Sequence, residues 1–170
     1  MPAIGQAFID QSRNYLSSEY LPKIRRCVQA ITDEDLWWRP NARSNSIGNL
    51  VLHLAGNVRQ WIVSGIGGEA DTRERQQEFD ADRERSGEEL VGMLEGTLVE
   101  VDGVLAQLRP EQLLERRFIQ GREVSVLEAL YHVVEHFGMH TGQVIYITKL
   151  RTGIDLEFYE SEAGNARPKW

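Results

Sequence analysis

The apolar pattern that limits the fold most strongly runs from residue 125 to residue 150. Ser125-Val-Leu-Glu128 has the Ser-x-x-Glu spacing of a helix capping box, and apolar residues recur every three or four positions after it. Gly153 stands where such a helix would need its C-cap. The sequence therefore predicts one long amphipathic helix, whose apolar face needs partner helices to cover it.

Three other stretches show helical spacing of apolar residues. The first covers residues 4–30, and we expect Pro22 in its middle to kink it or split it in two. The second covers residues 47–64, and the third covers residues 86–110. Four helical segments in 170 residues predict a single all-α domain over residues 1–170. With the charged residues 69–85 as a crossover, we expect a four-helix bundle of up-down-down-up order.

The connections are less regular. Residues 69–85 interleave opposite charges with little to bury, so we expect a solvated loop or frayed helix forming a charged crossover between the second and third helices. A partner-binding site is the alternative for this segment. Residues 118–124 predict a turn or small hairpin around Gly121, and the tail of residues 154–170 is expected to be irregular.

Charge and hydropathy exclude some partners. The net charge of −7 argues against nucleic acid, because phosphate binding needs a basic surface and the cations here are mixed with acids throughout. No stretch approaches the roughly 20 uninterrupted apolar residues that a bilayer-spanning helix requires. The first residues show no basic segment followed by an apolar one. We therefore expect a cytoplasmic protein with no membrane partner.

The single cysteine and the tryptophans are interpreted mainly as packing residues. Cys27 allows no internal disulfide, and a lone helical cysteine is more often a small buried hydrophobe than a nucleophile. Trp37, Trp38 and Trp61 are expected in the core or in a dimer contact rather than in a ligand stack. Their apolar excess predicts a homodimer.

The four histidines fall on the borders of two helices. On the last helix His140 lies about 80°, His136 about 120° and His132 about 160° from the direction of the apolar face, so His132 faces nearly outward. His53 lies at the border of the apolar face of the second helix. Imidazoles one turn apart have Cβ atoms about 6 Å apart, and a facing helix can supply a third ligand. The spacing favours His53, His136 and His140 as a metal site.

Structural roles for the same residues stay open at this point. A lone His53 is more often a surface or hydrogen-bonded core residue than a ligand, and a bare His-x-x-x-His recurs by chance in helices. The joint pattern favours a metal, because three protein nitrogens leave open positions as catalytic sites do. Asn57 and Gln143 lie near these borders. Each could hydrogen-bond a ligand histidine on the side away from the metal, or contact a substrate. The sequence assigns no catalytic residue.

Two motifs resemble those of the DinB/YfiT-like superfamily of metal-binding four-helix bundles. The motifs are Asn45-Ser-Ile-Gly-Asn-Leu-Val-Leu-His53-Leu and Tyr131-His-Val-Val-Glu-His136-Phe-Gly-Met-His140-Thr-Gly-Gln143. The likeness spans residues 16–150. It implies the ligands His53, His136 and His140, and it places His132 where the family often has an additional histidine that is not a ligand. It also implies a divalent ion such as zinc or nickel and, commonly, a dimer.

The resemblance also frames the expected function. Characterised relatives include thiol-dependent S-transferases and a maleylpyruvate isomerase, so the first expectation is a metal-dependent enzyme that transfers a low-molecular-weight thiol to a small electrophile. A metal-dependent hydrolase is the enzymatic alternative. A non-catalytic, metal-stabilised bundle acting as a stress or partner-binding protein is the third.

Overall fold

Three of the long helices start at a capping serine, including the predicted Ser125. The computed structural model describes residues 2–162 and 165–170. Ser46, Ser86 and Ser125 each open a helix with a reciprocal capping box. The helices are α1 (Pro2–Asn14), α2 (Leu21–Gln29), α3 (Asp33–Leu36), α4 (Ile47–Val58), α5 (Arg75–Asp80), α6 (Gly87–Gln107) and α7 (Val126–Thr152), with π-helical turns at Tyr15–Tyr20 and Arg59–Ser64 and a 3₁₀ turn at Pro110–Leu114.

Four short strands complete the described structure. They form two antiparallel hairpins, β1 (Arg116–Ile119) with β2 (Arg122–Ser125), and β3 (Tyr159–Glu162) with β4 (Asn165–Pro168). Gln120 and Gly121 connect β1 to β2, both with positive φ, which is the conformation of a tight two-residue hairpin turn. The small hairpin predicted around Gly121 is confirmed.

Proline 22 changes the hydrogen bonding of the first segment without interrupting it. Pro22 has no N–H, and the turn before it is π-helical, with the N–H of Leu21 bonded to the carbonyl of Leu16. The carbonyl of Ser18, four residues before Pro22, accepts a hydrogen bond from the indole Nε1 of Trp170 at 2.6 Å. The segment from α1 to α2 therefore stays helical through the proline.

Contacts across the bundle fix the direction of each helix. Arg13 of α1 pairs with Asp102 of α6, and Arg25 of α2 pairs with Glu95, so the first segment and α6 are antiparallel. The turn that follows α4 pairs with α6 at Arg59 and Glu100, and Gly67 further along packs against Val104. Residue numbers rise together in this second pair of contacts, so α4 and α6 are parallel.

The direction of α7 follows from its contacts with α4. His53 of α4 lies beside His136 and His140 of α7, whereas Trp61, two turns later, lies beside His132. Helices α4 and α7 are therefore antiparallel. The bundle has the predicted up-down-down-up order, and the connection between its second and third helices, residues 65–86, contains the charged crossover of residues 69–85.

One apolar core lies between the four segments. Ile24, Leu54, Leu94 and Phe137 come one from each segment and are fully buried. Among residues 2–162 and 165–170, no helix combines the length and the apolar composition that a membrane crossing needs.

Two of the three tryptophans expected in the core or in a dimer contact fill the interior. Trp37 and Trp61 are buried, and Trp37 donates its indole N–H to the carbonyl of Arg85 at 3.0 Å. Trp38 is partly buried beneath the guanidinium of Arg151, which lies 4.6 Å from the ring centroid. Because Trp37 and Trp61 are buried, they no longer support the homodimer that was inferred from exposed tryptophans. The homodimer stays a prediction.

The prediction of an irregular tail was wrong. Residues 159–162 and 165–168 pair as β3 and β4 instead. The rings of Phe158 and Tyr159 contact the ring of Trp170, and the ammonium of Lys23 lies 5.1 Å from the centroid of that indole. These aromatic contacts and the bond from Trp170 to Ser18 hold the tail against the first helical segment, which composition alone did not reveal.

The charged crossover is also more ordered than the sequence predicts. Its helix α5 packs on α4, where the buried side chain of Asn49 bonds to the backbone of the segment. The Nδ2 of Asn49 donates to the carbonyl oxygens of Glu78 (3.0 Å) and Ala81 (2.9 Å), while its Oδ1 accepts from the N–H and hydroxyl of Ser46. One amide therefore starts α4 and also fixes the end of α5 against it.

Replacing Asn49 is expected to release the crossover. Asn49→Ala should lower the free energy of unfolding by about 2 kcal/mol, because it removes a cap partner and the side-chain donor to the carbonyl of Glu78. Asn49→Asp should keep the cap acceptor but lose both donors to the crossover. Both variants should gain tryptic cleavage sites within residues 69–85, measured alongside urea unfolding.

The exposed Asn14→Ala serves as the control and should change stability by less than about 0.5 kcal/mol. Wild-type stability and a wild-type tryptic pattern in Asn49→Ala would show that this amide does not hold the segment.

Candidate metal centre

Helices α4 and α7 bring three of the four histidines together. The Nε2 atom of His136 lies 3.1 Å from Nε2 of His53 and 3.2 Å from Nε2 of His140. One ring nitrogen from each residue lies within 4.8 Å of the others, and these three form such a group among the described residues. His53 and His136 are buried and His140 is partly buried. The cluster therefore has the membership that the spacing favoured.

The nitrogen spacing fits a single ion. Zinc–nitrogen bonds of about 2.0–2.1 Å in tetrahedral geometry place neighbouring nitrogens about 3.3 Å apart, close to the two separations seen here. Three imidazoles suit zinc, nickel and similar divalent ions. These residues could hold a metal ion, and its identity does not follow from the donor set.

The outer nitrogens of two histidines are held by acceptors. His53 Nδ1 lies 2.9 Å from Oε2 of Glu78, and His140 Nδ1 lies 2.6 Å from Oε1 of Gln143. A carboxylate and an amide oxygen accept hydrogen bonds, so each Nδ1 carries the proton and each Nε2 presents its lone pair to the cluster. From the sequence, Gln143 was a candidate for contact with a ligand histidine, and it does contact His140.

Glu78 is itself held by an arginine of the crossover. Arg73 donates from Nε to Oε1 at 2.7 Å and from Nη2 to Oε2 at 2.8 Å, the two-point pairing that suits a guanidinium and a carboxylate. Its Nη1 donates to Gln60 at 2.9 Å. The side chains of Arg73 and Glu78 are only 5 % and 11 % exposed, so the pair lies largely out of water.

A glycine in α4 makes room for this pair. A Cβ at Gly56 would collide with Oε1 of Glu78 and would lie 3.0 Å from Nε of Arg73. The absence of a side chain at Gly56 therefore allows the carboxylate to lie against α4 and reach His53, which is one turn earlier on the same helix.

Burial shapes the protonation of the cluster. Burial, reinforced by the neighbouring histidines and Arg73, lowers the pKa of His136 to about 3, which leaves this imidazole neutral and able to act as a ligand. Burial alone would raise the pKa of Glu78, but hydrogen bonds from Arg73 and His53 lower it below its ordinary value. A neutral His136 imidazole beside an ionised carboxylate suits a cation.

The fourth histidine lies outside the cluster but does not point into solvent. His132 is half-buried, with its ring centroid 4.2 Å from that of Trp61, and burial lowers its pKa. The expectation that His132 faces nearly outward was wrong, because the turn that follows α4 carries Trp61 across that face of α7. The expectation that it does not join the other three agrees with the structure.

Sequence reasoning missed Arg73 and Glu78. Both lie in residues 69–85, which were expected to be solvated because charged runs usually are. One signal was present: Phe79 is the only large apolar residue of that run, and its ring packs 4.9 Å from that of His53. An isolated aromatic in a charged segment can mark the face that docks.

Comparisons with known proteins agree with this fold. The family described as "Protein of unknown function (DUF1572)" matches residues 3–159. A DinB-like protein from Bacillus cereus ATCC 10987 is similar in structure, with 16% identity, a TM-score of 0.67, and coverage of 87% of this chain and 93% of that one. A DinB-like protein from Bacillus subtilis, YjoA, has 20% identity and a TM-score of 0.61, with coverage of 85% and 92%.

A search among curated proteins gives no significant match. The two structural likenesses, at these identities, bear on the fold alone. The family match covers most of the chain, and the helical bundle agrees in fold with the DinB-like structures. The chain therefore belongs to the DUF1572 family, and its four-helix bundle has the fold of the DinB-like structures.

Proposed function

We propose that this protein is a metal-dependent enzyme that binds one divalent ion, zinc or nickel, through His53, His136 and His140 and transfers a low-molecular-weight thiol to a small electrophile. The convergence of three Nε2 atoms within bonding range of one ion is the observation that carries this proposal. The outer nitrogens of His53 and His140 are already turned away from the cluster, which supports a preorganised donor set.

The number of donors supports chemistry over a structural role. Structural zinc sites are closed by four protein ligands, whereas catalytic sites keep a position for substrate. Within residues 2–162 and 165–170 the group consists of three histidines, and the carboxylate of Glu78 is engaged with His53 Nδ1 and Arg73. A bound ion would have an open position for a thiol. The ion would lower the pKa of that thiol, so that the thiolate exists near neutral pH.

The thiol has to come from outside the protein. Cys27 is fully buried, and burial raises the pKa of its thiol to about 11. A thiol that is both inaccessible and protonated at neutral pH is a poor nucleophile. The interpretation of Cys27 as a core residue is therefore preferred, and a small cellular thiol is the proposed nucleophile.

A neighbouring cleft offers room for the electrophile. It has a volume of about 730 Å³ and lies between Leu50 of α4, the second half of α7 and the loop that carries Trp38 and Arg43. Gln143 lines it and bonds to His140, so the cleft begins one helical turn from the cluster. This adjacency supports substrate entry from that end of the α4–α7 contact.

The lining of the cleft favours an anionic substrate. No aspartate or glutamate lines it, whereas three other clefts of the described residues contain at least two each. Arg43 is exposed and has no ion-pair partner within the described chain, while Trp38 and Tyr146 supply flat apolar surfaces. A small planar molecule bearing a carboxylate fits this combination.

Two other functions use the same geometry. A hydrolase would place water rather than a thiol at the open position. A non-catalytic bundle would use the ion for stability alone, and the donor count argues against it.

The ligand assignment predicts how histidine variants bind metal. His53→Ala, His136→Ala and His140→Ala should each abolish stoichiometric zinc, because each removes one converging nitrogen. His132→Ala should retain it, because that ring packs on Trp61 instead. Elemental analysis of protein purified without a polyhistidine tag measures this. Loss of zinc in a folded His132→Ala together with its retention in His140→Ala would reverse the assignment.

A cobalt-substituted protein should distinguish the three functions. Adding a small thiol should produce a sulfur-to-cobalt charge-transfer band in the near-ultraviolet, because the thiolate would enter the open position. Titration with an alcohol of the same size is the control and should give no such band. A spectrum indifferent to every cellular thiol tried would reject the transferase, and a cobalt ion without an exchangeable ligand would reject the hydrolase as well.

The cleft predicts a preference for anions that depends on Arg43. 4-Fluorobenzoate should bind more tightly than neutral 4-fluorobenzamide, and Arg43→Gln should weaken benzoate binding about tenfold while leaving the amide unchanged. Fluorine NMR titration of the zinc-loaded protein measures both ligands. The exposed Arg83→Gln makes the same charge change elsewhere and should have no effect. Equal binding of both probes to wild-type protein would count against an anionic substrate.

A further inference from the structure

We propose that Glu78 and Arg73 of the crossover segment are positioning residues of the metal centre that act in opposite directions, Glu78 strengthening metal binding and Arg73 weakening it. This inference rests on the proposed metal binding by the three histidines. It assigns the control of metal affinity to a segment that supplies none of the ligands.

Glu78 acts through the outer nitrogen of a ligand. Its Oε2 lies 2.9 Å from His53 Nδ1, so the carboxylate accepts a hydrogen bond from Nδ1–H and leaves the lone pair of Nε2 free. A carboxylate in this position fixes the ring orientation and makes the imidazole a stronger donor. Its negative charge also lies close to the cation that the three nitrogens would bind.

Arg73 opposes both effects. Its guanidinium binds both oxygens of Glu78, at 2.7 and 2.8 Å, and so shares the charge that would otherwise act on His53 alone. Its Nη2 also lies 3.2 Å from His53 Nδ1. Because Nδ1 donates to Glu78, two donors face each other there, and Arg73 contributes a fixed positive charge beside a cation site.

Burial makes these charges effective. The side chains of His53, Glu78 and Arg73 are 7 %, 11 % and 5 % exposed, so water screens their interactions little. Exposed ion pairs elsewhere, such as Arg116 with Glu128, have about half of each side chain in solvent. A charge removed from the buried pair is therefore expected to change metal affinity, whereas one removed from an exposed residue is not.

The surrounding chain holds the pair in place. Gln60 accepts from Nη1 of Arg73 at 2.9 Å, and Gly56 leaves the space that Glu78 occupies on α4. Asn49 fixes the backbone of the segment at the carbonyls of Glu78 and Ala81. The pair is thus held by contacts with α4, the helix that carries His53, and with the turn that follows it.

The sign of the effect distinguishes this role from a structural one. If Arg73 and Glu78 only held the segment, removing either would loosen the site and weaken metal binding. If they act by charge, Glu78→Gln should weaken binding, because it leaves a positive charge beside the cation. Arg73→Gln should strengthen binding, because it leaves the carboxylate charge unshared.

The experiment is a competition titration of metal-free, full-length protein with Zn²⁺ and Co²⁺. Glu78→Gln should weaken affinity by about 10- to 100-fold, the size found for residues behind metal-binding histidines. Arg73→Gln should bind several-fold more tightly than wild type, and the double variant should fall between the two. Glu74→Gln and Arg75→Gln make the same charge changes at exposed positions of the same segment and should match wild type.

Two further measurements keep the test decisive. Urea unfolding identifies a variant that fails to fold; in that case Arg73→Lys, which keeps the charge, should retain wild-type affinity. Nitrogen-15 NMR of the histidines in metal-free wild-type protein should show His53 with its proton on Nδ1. Weaker binding by a folded Arg73→Gln, or an Nε2–H tautomer at His53, overturns the inference. Wild-type protein that binds neither ion overturns the proposed metal site itself.

Discussion

The antiparallel contact between α4 and α7 is the interaction on which the candidate site depends. It places His53 against His136 and His140 and, two turns away, Trp61 against His132. Apolar burial of the flanking positions drives this contact, and the histidines at its border lose water as a result. Burial and mutual repulsion then leave His136 neutral with a pKa of about 3, so the packing that forms the bundle also prepares a donor set for a cation.

The contact has two unlike ends. At one end Trp61 is buried and covers His132, which closes the interface. At the other end lies the cleft lined by Gln143 and Arg43, one turn from the cluster. Access to the histidines is therefore expected from the cleft side, where an acid-free surface would meet an anionic molecule in a chain of net charge −7.

The buried ion pair of the crossover, Arg73 with Glu78, need not stabilise the fold. Removing Arg73 and Glu78 from water costs free energy that their attraction and hydrogen bonds offset only in good geometry, and well-packed apolar residues often do as well. Here the pair is fixed by Gln60, Asn49 and the space at Gly56, and it reaches a histidine of the cluster. A role at that histidine accounts for charge in a place where packing alone would favour apolar side chains.

The sequence by itself determined the helices and the membership of the histidine cluster. Helical spacing and capping boxes depend on residues within one or two turns of each other, so Ser125 with Glu128 predicted the start of α7 correctly. The phase of the same helix separated His136 and His140 from His132.

The tertiary structure alone decided what the charged crossover and the tail do. Whether Glu78 is solvated or buried depends on Gly56 and Asn49, more than 20 residues away along the chain, and the tail depends on the carbonyl of Ser18. The half-burial of His132 likewise depends on Trp61 from another segment. Long-range contacts of this kind leave no local periodicity, because the residues that meet were never neighbours in sequence.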